Sequence, residues 1–136
     1  MKIVNNLVFG GDCKPAFEFY AELLGGKITA MIPFGEAPPG MPLPEGFKDK
    51  IMHAWLEIGD QAIMGCDSPP EYFRPMGGFS VAVHTKDPEE ARRLFDALAQ
   101  GGRAAMPFGP TSWSPAFGML TDRFGAPWII NTNPEL

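Results

Sequence analysis

The chain has 136 residues, 45% of them apolar and 20% charged, and its 11 basic and 16 acidic side chains leave a formal net charge of −5. That composition supports one domain or two small repeated modules around a buried core and excludes wholesale disorder. An acidic balance with a pI near 4.9 argues against nucleic acid as a partner, because phosphate binding needs a net basic face.

Met1 to Phe9 is a mostly apolar run ended by Gly10-Gly11 and reads as a strand. Its start, Met1 to Asn6, has no apolar h-region or cleavage site. Asp12 offers an N-cap carboxylate, and Ala16, Phe17, Phe19, Tyr20, Leu23 and Leu24 follow at spacings of three and four, the mark of one helical face. The Cys13–Leu24 helix then stops at Gly25-Gly26. Lys27 to Phe34 reads as a second strand, with Pro33 placing its end at a sheet edge. Residues 35–48 carry Pro38, Pro39, Pro42 and Pro44 and read as a loop. It exceeds the usual ~4–6 residues, which makes it a candidate lid or interface segment. Strands over Lys50–Ile58 and Gln61–Cys66 follow, joined by a tight Gly59-Asp60 turn. A second loop opens at Ser68-Pro69-Pro70 and closes at Gly77-Gly78.

The pattern then restarts. Phe79–His84 is a strand, and Asp87-Pro88 is an N-cap with proline at the first helical position. Ala91, Leu94, Phe95 and Leu98 form the buried face of a helix that stops at Gly101-Gly102. Arg103–Phe108, Ala116–Thr121 and Pro127–Thr132 are three further strands. Ala16-x-x-Phe19-Tyr20-x-x-Leu23 stands over Ala91-x-x-Leu94-Phe95-x-x-Leu98, and each helix ends at Gly-Gly followed by a basic residue, Lys27 or Arg103. The chain is therefore read as a duplicated half-domain: two βαβββ modules, about 1–67 and 77–133, forming one α+β domain over 1–136. Each module buries one sheet face on its own helix, and the other faces are expected to form a shared cavity in a cupped mixed sheet.

The strand Ile51–Ile58 is the most informative segment. Met52, Ala54, Leu56 and Ile58 alternate on an apolar, helix-facing side, which leaves His53, Trp55 and Glu57 together on the other. An imidazole, an indole and a carboxylate side by side suit ligand binding or metal capture. Structurally, Trp55 could simply fill the cavity mouth and Glu57 sit solvated at a strand end. In the second half Ser80, Ala82 and His84 alternate with Phe79, Val81 and Val83. His84 lies next to the helix-initiating loop and reads as a surface or capping residue. Trp113, Phe117, Met119 and Trp128 are large apolar residues around the last strands, mostly core, with one or two lining a pocket. No GxGxxG, Walker loop, HExxH, CxxC or GxSxG occurs. Two histidines exclude a three-histidine metal site, and two cysteines, Cys13 and Cys66, are too few for a disulfide framework or zinc ribbon.

Paired βαβββ modules in a chain of this length resemble the vicinal oxygen chelate superfamily of glyoxalase I, bleomycin-resistance proteins and extradiol dioxygenases. Gly10-Gly11-Asp12-Cys13 before Ala16-Phe17-Glu18-Phe19-Tyr20 is similar to its PhnB-like branch, as are Ala37-Pro38-Pro39-Gly40-Met41-Pro42 and Lys50-Ile51-Met52-His53-Ala54. Gly118-Met119-Leu120-Thr121-Asp122-Arg123-Phe124-Gly125 with Pro127-Trp128 completes the set, so the resemblance covers almost the whole chain. Proteins of this branch often carry the label 3-demethylubiquinone-9 3-methyltransferase, yet nothing here resembles a nucleotide-methyl-donor fold or its glycine-rich loop. The resemblance implies the glyoxalase/bleomycin resistance/dihydroxybiphenyl dioxygenase-like fold and a homodimer.

In metal-dependent relatives a cation in the cup chelates two neighbouring substrate oxygens. Position by position, the resemblance carries its ligands onto Asn5 and Ser80 on the first strands, His53 or Trp55 on a later strand, and Ile129, or Asn131 with a shifted register. Asn, Ser and Ile do not hold a divalent transition metal tightly, so no metal or other cofactor is expected, and a divalent metal is disfavoured. The leading expectation is a metal-free cytoplasmic protein that holds a small-molecule ligand, with Asn5, Trp55, Ser80, Met119 and Trp128 as contacts and His53 as the chemically active group. The alternative is a metal-dependent lyase or dioxygenase-type enzyme with His53 as metal ligand or general base.

Overall fold

The first helix forms where the apolar spacing and the flanking glycines place it. α1 spans Cys13–Leu24 and buries Cys13, Ala16, Phe17 and Tyr20. Gly25 adopts the left-handed conformation, φ 67°, that ends it. Gly26 then passes so close to a neighbouring strand that a Cβ would stand 2.7 Å from the carbonyl oxygen of Glu57. The pair serves two purposes: one glycine turns the chain and the next lets two backbones touch.

A computed structural model describes residues 1–136 and divides them into two units, Met1–Pro75 and Met76–Leu136. In the first, β1 (Asn6–Phe9), β2 (Lys27–Pro33), β3 (Ile51–Ile58) and β4 (Gln61–Asp67) form a sheet in the order β1-β4-β3-β2. β1 runs parallel to β4, and the other pairs are antiparallel. In the second, β5 (Val81–Thr85), α2 (Pro88–Ala99), β6 (Arg103–Gly109), β7 (Phe117–Thr121) and β8 (Pro127–Thr132) repeat the plan in the order β5-β8-β7-β6. The parallel pair is again the module's first and last strand. Two mixed four-stranded sheets, each with its own helix, are the α+β, two-module glyoxalase-like fold expected from the sequence.

Each helix also meets a glycine of its own sheet, on strands that are not equivalent in the repeat. On β4, Gly65 faces the ring of Phe17, and a Cβ there would lie 2.6 Å from it; on β7, Gly118 stands at the same 2.6 Å from the ring of Phe95. A helix aromatic thus settles onto a side-chain-free strand position in both modules, which brings helix and sheet together without a gap. Gly101 takes φ 76° after α2, and Gly102 packs against the backbone of Thr121 and Asp122 as Gly26 does against Glu57.

Three local expectations are corrected. β1 begins at Asn6, not Met1, and Met1, Lys2, Ile3 and Asn5 are exposed. Ile51 rather than Met52 is buried in β3, because the register slips there: Ile32 pairs with His53 and its neighbour Pro33 with Ile51. This β-bulge moves one residue out of the alternation. Asp12 makes no side-chain cap to α1, in contrast to Asp87, whose carboxylate accepts from the Glu89 amide at 3.0 Å at the start of α2.

The carboxylate that serves the start of α1 comes from far along the chain. Asp67, 2% exposed at the end of β4, accepts through Oδ1 from the amides of Gly11 and Cys13, both at 3.0 Å, and through Oδ2 from Ile51 at 2.8 Å. It therefore ties the turn before α1 to the start of β3. The positive end of the helix and three N–H donors compensate a charge that would otherwise be costly to bury. In the second module Asp122, 3% exposed, accepts at 2.9 Å from the amides of Phe124 and Ala126 and from the Trp128 indole. Asp67→Ala leaves three inward-facing N–H groups without their acceptor. It should lower unfolding free energy by at least about 3 kcal/mol, read by urea denaturation followed by circular dichroism, with Asp67→Asn recovering part of the loss.

Candidate functional site

Because α1 covers only one face of the first sheet, the residues on the other face are left for function. Leu7 and Phe9 point into the core, so Asn6 and Val8 lie on the uncovered side. The register pairs Asn6 with Met64, Val8 with Cys66 and Trp55 with Met64. Alternation in β3, where Ala54 and Leu56 are fully buried, places His53, Trp55 and Glu57 on that same side. The uncovered face of this module therefore carries Asn6, Cys66, Met64, Trp55 and His53.

His53 and Trp55 meet with ring centroids 6.3 Å apart at an interplanar angle of 41°. Both are half-buried. Neither ring nitrogen of His53 is hydrogen-bonded within the chain, which leaves one donor and one acceptor for a bound molecule. The Lys2 ammonium lies 6.0 Å from the centroid of the indole. Asn6 donates through Nδ2 to Cys66 Sγ at 3.8 Å. Glu57 is exposed at the strand end.

The cysteines differ in kind. Burial pushes the Cys13 thiol far up, helped by the neighbouring charge of Asp67. Burial also raises Cys66, while the hydrogen bond from Asn6 opposes that rise. Both thiols are thus held protonated near neutral pH, and only Cys66 has access to the uncovered face.

In the second module the face away from α2 carries Ala82 and His84 of β5, Ile129 and Asn131 of β8, and Phe117 and Met119 of β7. Ser80 stands one residue ahead of β5 and is half-buried. Met119 is half-buried opposite Ile129. His84 is an exposed strand residue, not a helix cap: its Nδ1 lies 3.1 Å from Asn131 Nδ2. Asn131 Oδ1 is buried and has no hydrogen-bond partner.

Several expected site residues are therefore re-placed. Asn5 is exposed ahead of β1, and its carbonyl accepts from the Met64 amide at 2.9 Å; Asn6 is the asparagine on the functional side. Trp128 is 1% exposed, alternates with Ile129 toward α2, and spends its N–H on Asp122. It is a core residue. His53, Trp55, Ser80 and Met119 lie on or beside the uncovered faces. Sequence reasoning missed Asn6, Cys66 and the His84–Asn131 pair. No local signal separated Asn6 from Asn5; the burial of Leu7 and Phe9 does. The His84–Asn131 pairing needed the parallel register, which no local pattern encodes.

The donor set does not suit a catalytic metal. No three His, Cys, Asp or Glu side chains come together anywhere in the chain so as to hold an ion. The polar groups on the uncovered faces are amides, a hydroxyl and isolated imidazoles, which are weak ligands for a divalent transition metal. A concavity of about 420 Å³ beside the proline loop is lined by Leu43, Pro44, Glu45, Gly46, Lys48 and Asp49 and contains neither histidine nor aromatic ring. The loop itself is anchored by Phe47, 6% exposed, whose ring centroid lies 5.0 Å from that of Phe34. No helix is long and apolar enough to cross a membrane.

Comparison with known proteins agrees with this architecture. A family model described as 3-demethylubiquinone-9 3-methyltransferase matches residues 1–131. The chain is 35% identical to Protein YjdN of Escherichia coli (strain K12) over 92% of its own length and 90% of that protein. The crystal structure of protein PA1353 from Pseudomonas aeruginosa superposes with a TM-score of 0.88 at 46% identity, covering 98% of both chains. A putative 3-demethylubiquinone-9 3-methyltransferase, PhnB protein, from Bacillus cereus gives a TM-score of 0.82 at 29% identity, covering 98% of this chain and 100% of that one.

The thiol geometry is directly checkable. In the folded protein at pH 8 a disulfide-exchange reagent should modify Cys66 slowly and Cys13 not at all, and unfolding in urea should expose both. Asn6→Leu removes the hydrogen bond that opposes the rise of the Cys66 pKa, so the Cys66 rate should fall further.

Proposed function

The chain belongs to the 3-demethylubiquinone-9 3-methyltransferase family, the PhnB-like group of glyoxalase and bleomycin-resistance-type proteins, and on that premise we propose that it binds a small, partly aromatic or amphipathic molecule without a metal. The observation that carries this reading is the half-buried His53–Trp55 pair, with both imidazole nitrogens free for a ligand. The indole supplies a flat apolar surface, His53 a donor and an acceptor, and Asn6 an amide on the same side.

The family's description names a methyl transfer. No GxGxxG runs from a strand into a helix to hold a nucleotide-type methyl donor. The scattered donors give a divalent ion no set of three anionic or imidazole ligands for Lewis-acid catalysis.

Anilinonaphthalene sulfonate, an aromatic and amphipathic probe, tests the proposal by fluorescence titration. Trp55→Ala should weaken binding about tenfold, equivalent to ~1.4 kcal/mol, and His53→Ala should weaken it less. Unchanged affinity in both variants would remove this face from the account. Turnover of a substrate that disappears in His53→Ala, with the protein free of metal, would make His53 a general base at the same place.

A further inference from the structure

We infer that Lys2 is a latch on Trp55: its ammonium and an incoming aromatic ligand compete for the same indole, and the ammonium has to leave before the ligand can stack. The inference rests on the reading of Trp55 as a ligand-stacking residue and adds how access to it is controlled.

The latch joins distant parts of the chain. The register sets Asn6 of β1, Met64 of β4 and Trp55 of β3 in one row across the sheet. Just ahead of that row the Asn5 carbonyl still accepts from the Met64 amide at 2.9 Å, which fixes the backbone at that residue. Met1, Lys2 and Ile3 are exposed beyond it. Lys2 nonetheless reaches past β4 to β3, where its Nζ lies 6.0 Å from the Trp55 ring centroid. No carboxylate forms a salt bridge with Lys2. The indole is therefore the group that positions this charge, through the negative face of its ring.

Such a contact holds weakly and releases easily. At an exposed site, with the ammonium at the outer reach of the interaction, a cation–π pair favours the closed arrangement by about two- to fivefold. A lysine head group is strongly hydrated, so water receives it as soon as the ring is claimed. Residues 1–4 lie outside every helix and strand, and their release leaves the sheet and the Asn5–Met64 hydrogen bond intact. His53, 6.3 Å from the same indole, stays where strand pairing with Ile32 holds it. An aromatic ligand thus meets a fixed imidazole beside a flat ring that a removable cation covers. A neutral ring loses affinity in proportion to the closed fraction.

The test uses the full chain and naphthylmethanol, a neutral two-ring probe. Ring current from the indole should move the Lys2 ε-methylene protons upfield, and Trp55→Ala should return them to the usual lysine position. A saturating amount of the probe should do the same in the unsubstituted chain. Lys2→Ala and Lys2→Met, which remove the charge, should tighten probe binding about two- to fivefold, whereas Lys2→Arg, which keeps a cation for the ring, should not. Lys2 is exposed, and unchanged backbone spectra will show that its variants fold. Lys2 protons at the usual position in the unsubstituted chain would overturn the latch. Equal probe affinity with and without the Lys2 charge, where Trp55→Ala weakens the probe, would overturn it as well and leave the small-molecule reading standing. Probe binding that is absent, or indifferent to Trp55→Ala, would overturn both.

Discussion

A single carboxylate organises the first module. Asp67 sits at the end of the last strand, almost without solvent, and accepts three backbone hydrogen bonds from segments that are distant in sequence. By holding Gly11 and Cys13 it sets where α1 begins; by holding Ile51 it sets where β3 begins. The adjacent bulge in β3 resolves so that Ile51 turns inward and His53 outward. Past the bulge, alternation with the buried Ala54 and Leu56 sets His53 and Trp55 on the other face of the sheet. Lys50, next to Ile51, reinforces the junction by donating from Nζ to the Gly11 carbonyl at 3.0 Å.

The second module solves the same problem with a different carboxylate. Asp122 anchors the turn between β7 and β8 and uses the indole of Trp128 as one of its donors. Trp128 lies in the core, while Trp113 is exposed and packs on Phe117. The glycines that follow the helices are shared more faithfully than the carboxylates: Gly26 and Gly102 allow the helix exits to touch equivalent strands, whereas Gly65 and Gly118 receive helix aromatics on different ones. These positions tolerate no Cβ, whereas a buried anion can be placed wherever enough N–H donors converge.

That contrast explains what could be read in advance. The span of α1 was legible to the residue, because the apolar spacing and Gly25-Gly26 are local signals. The two-module plan was legible from the repeat. Three features depended on distant partners and were not: the capping of α1 by Asp67 instead of Asp12, the inward turn of Trp128, and the register of β1. Asn5 and Asn6 are chemically identical neighbours, and only the burial of Leu7 and Phe9 distinguishes which faces the site. His53 and Trp55 were recognisable because alternation in β3 survives past the bulge. His84 lies at the surface as expected, and its parallel partner Asn131 on β8 is what no local pattern encoded.

The functional account turns on donor chemistry. The fold is shared with proteins that use metals, but a fold does not bring its ligands with it. Here the uncovered faces offer an unpartnered imidazole, amides and aromatic rings, a set suited to orienting an organic ligand and poorly suited to gripping a divalent ion. The most direct test is the metal content of the untagged protein by plasma mass spectrometry, before and after incubation with Zn²⁺, Ni²⁺, Mn²⁺ and Fe²⁺. The account predicts far less than one metal per chain in every case. Near-stoichiometric metal that disappears in His53→Ala would contradict it and place His53 in a metal centre.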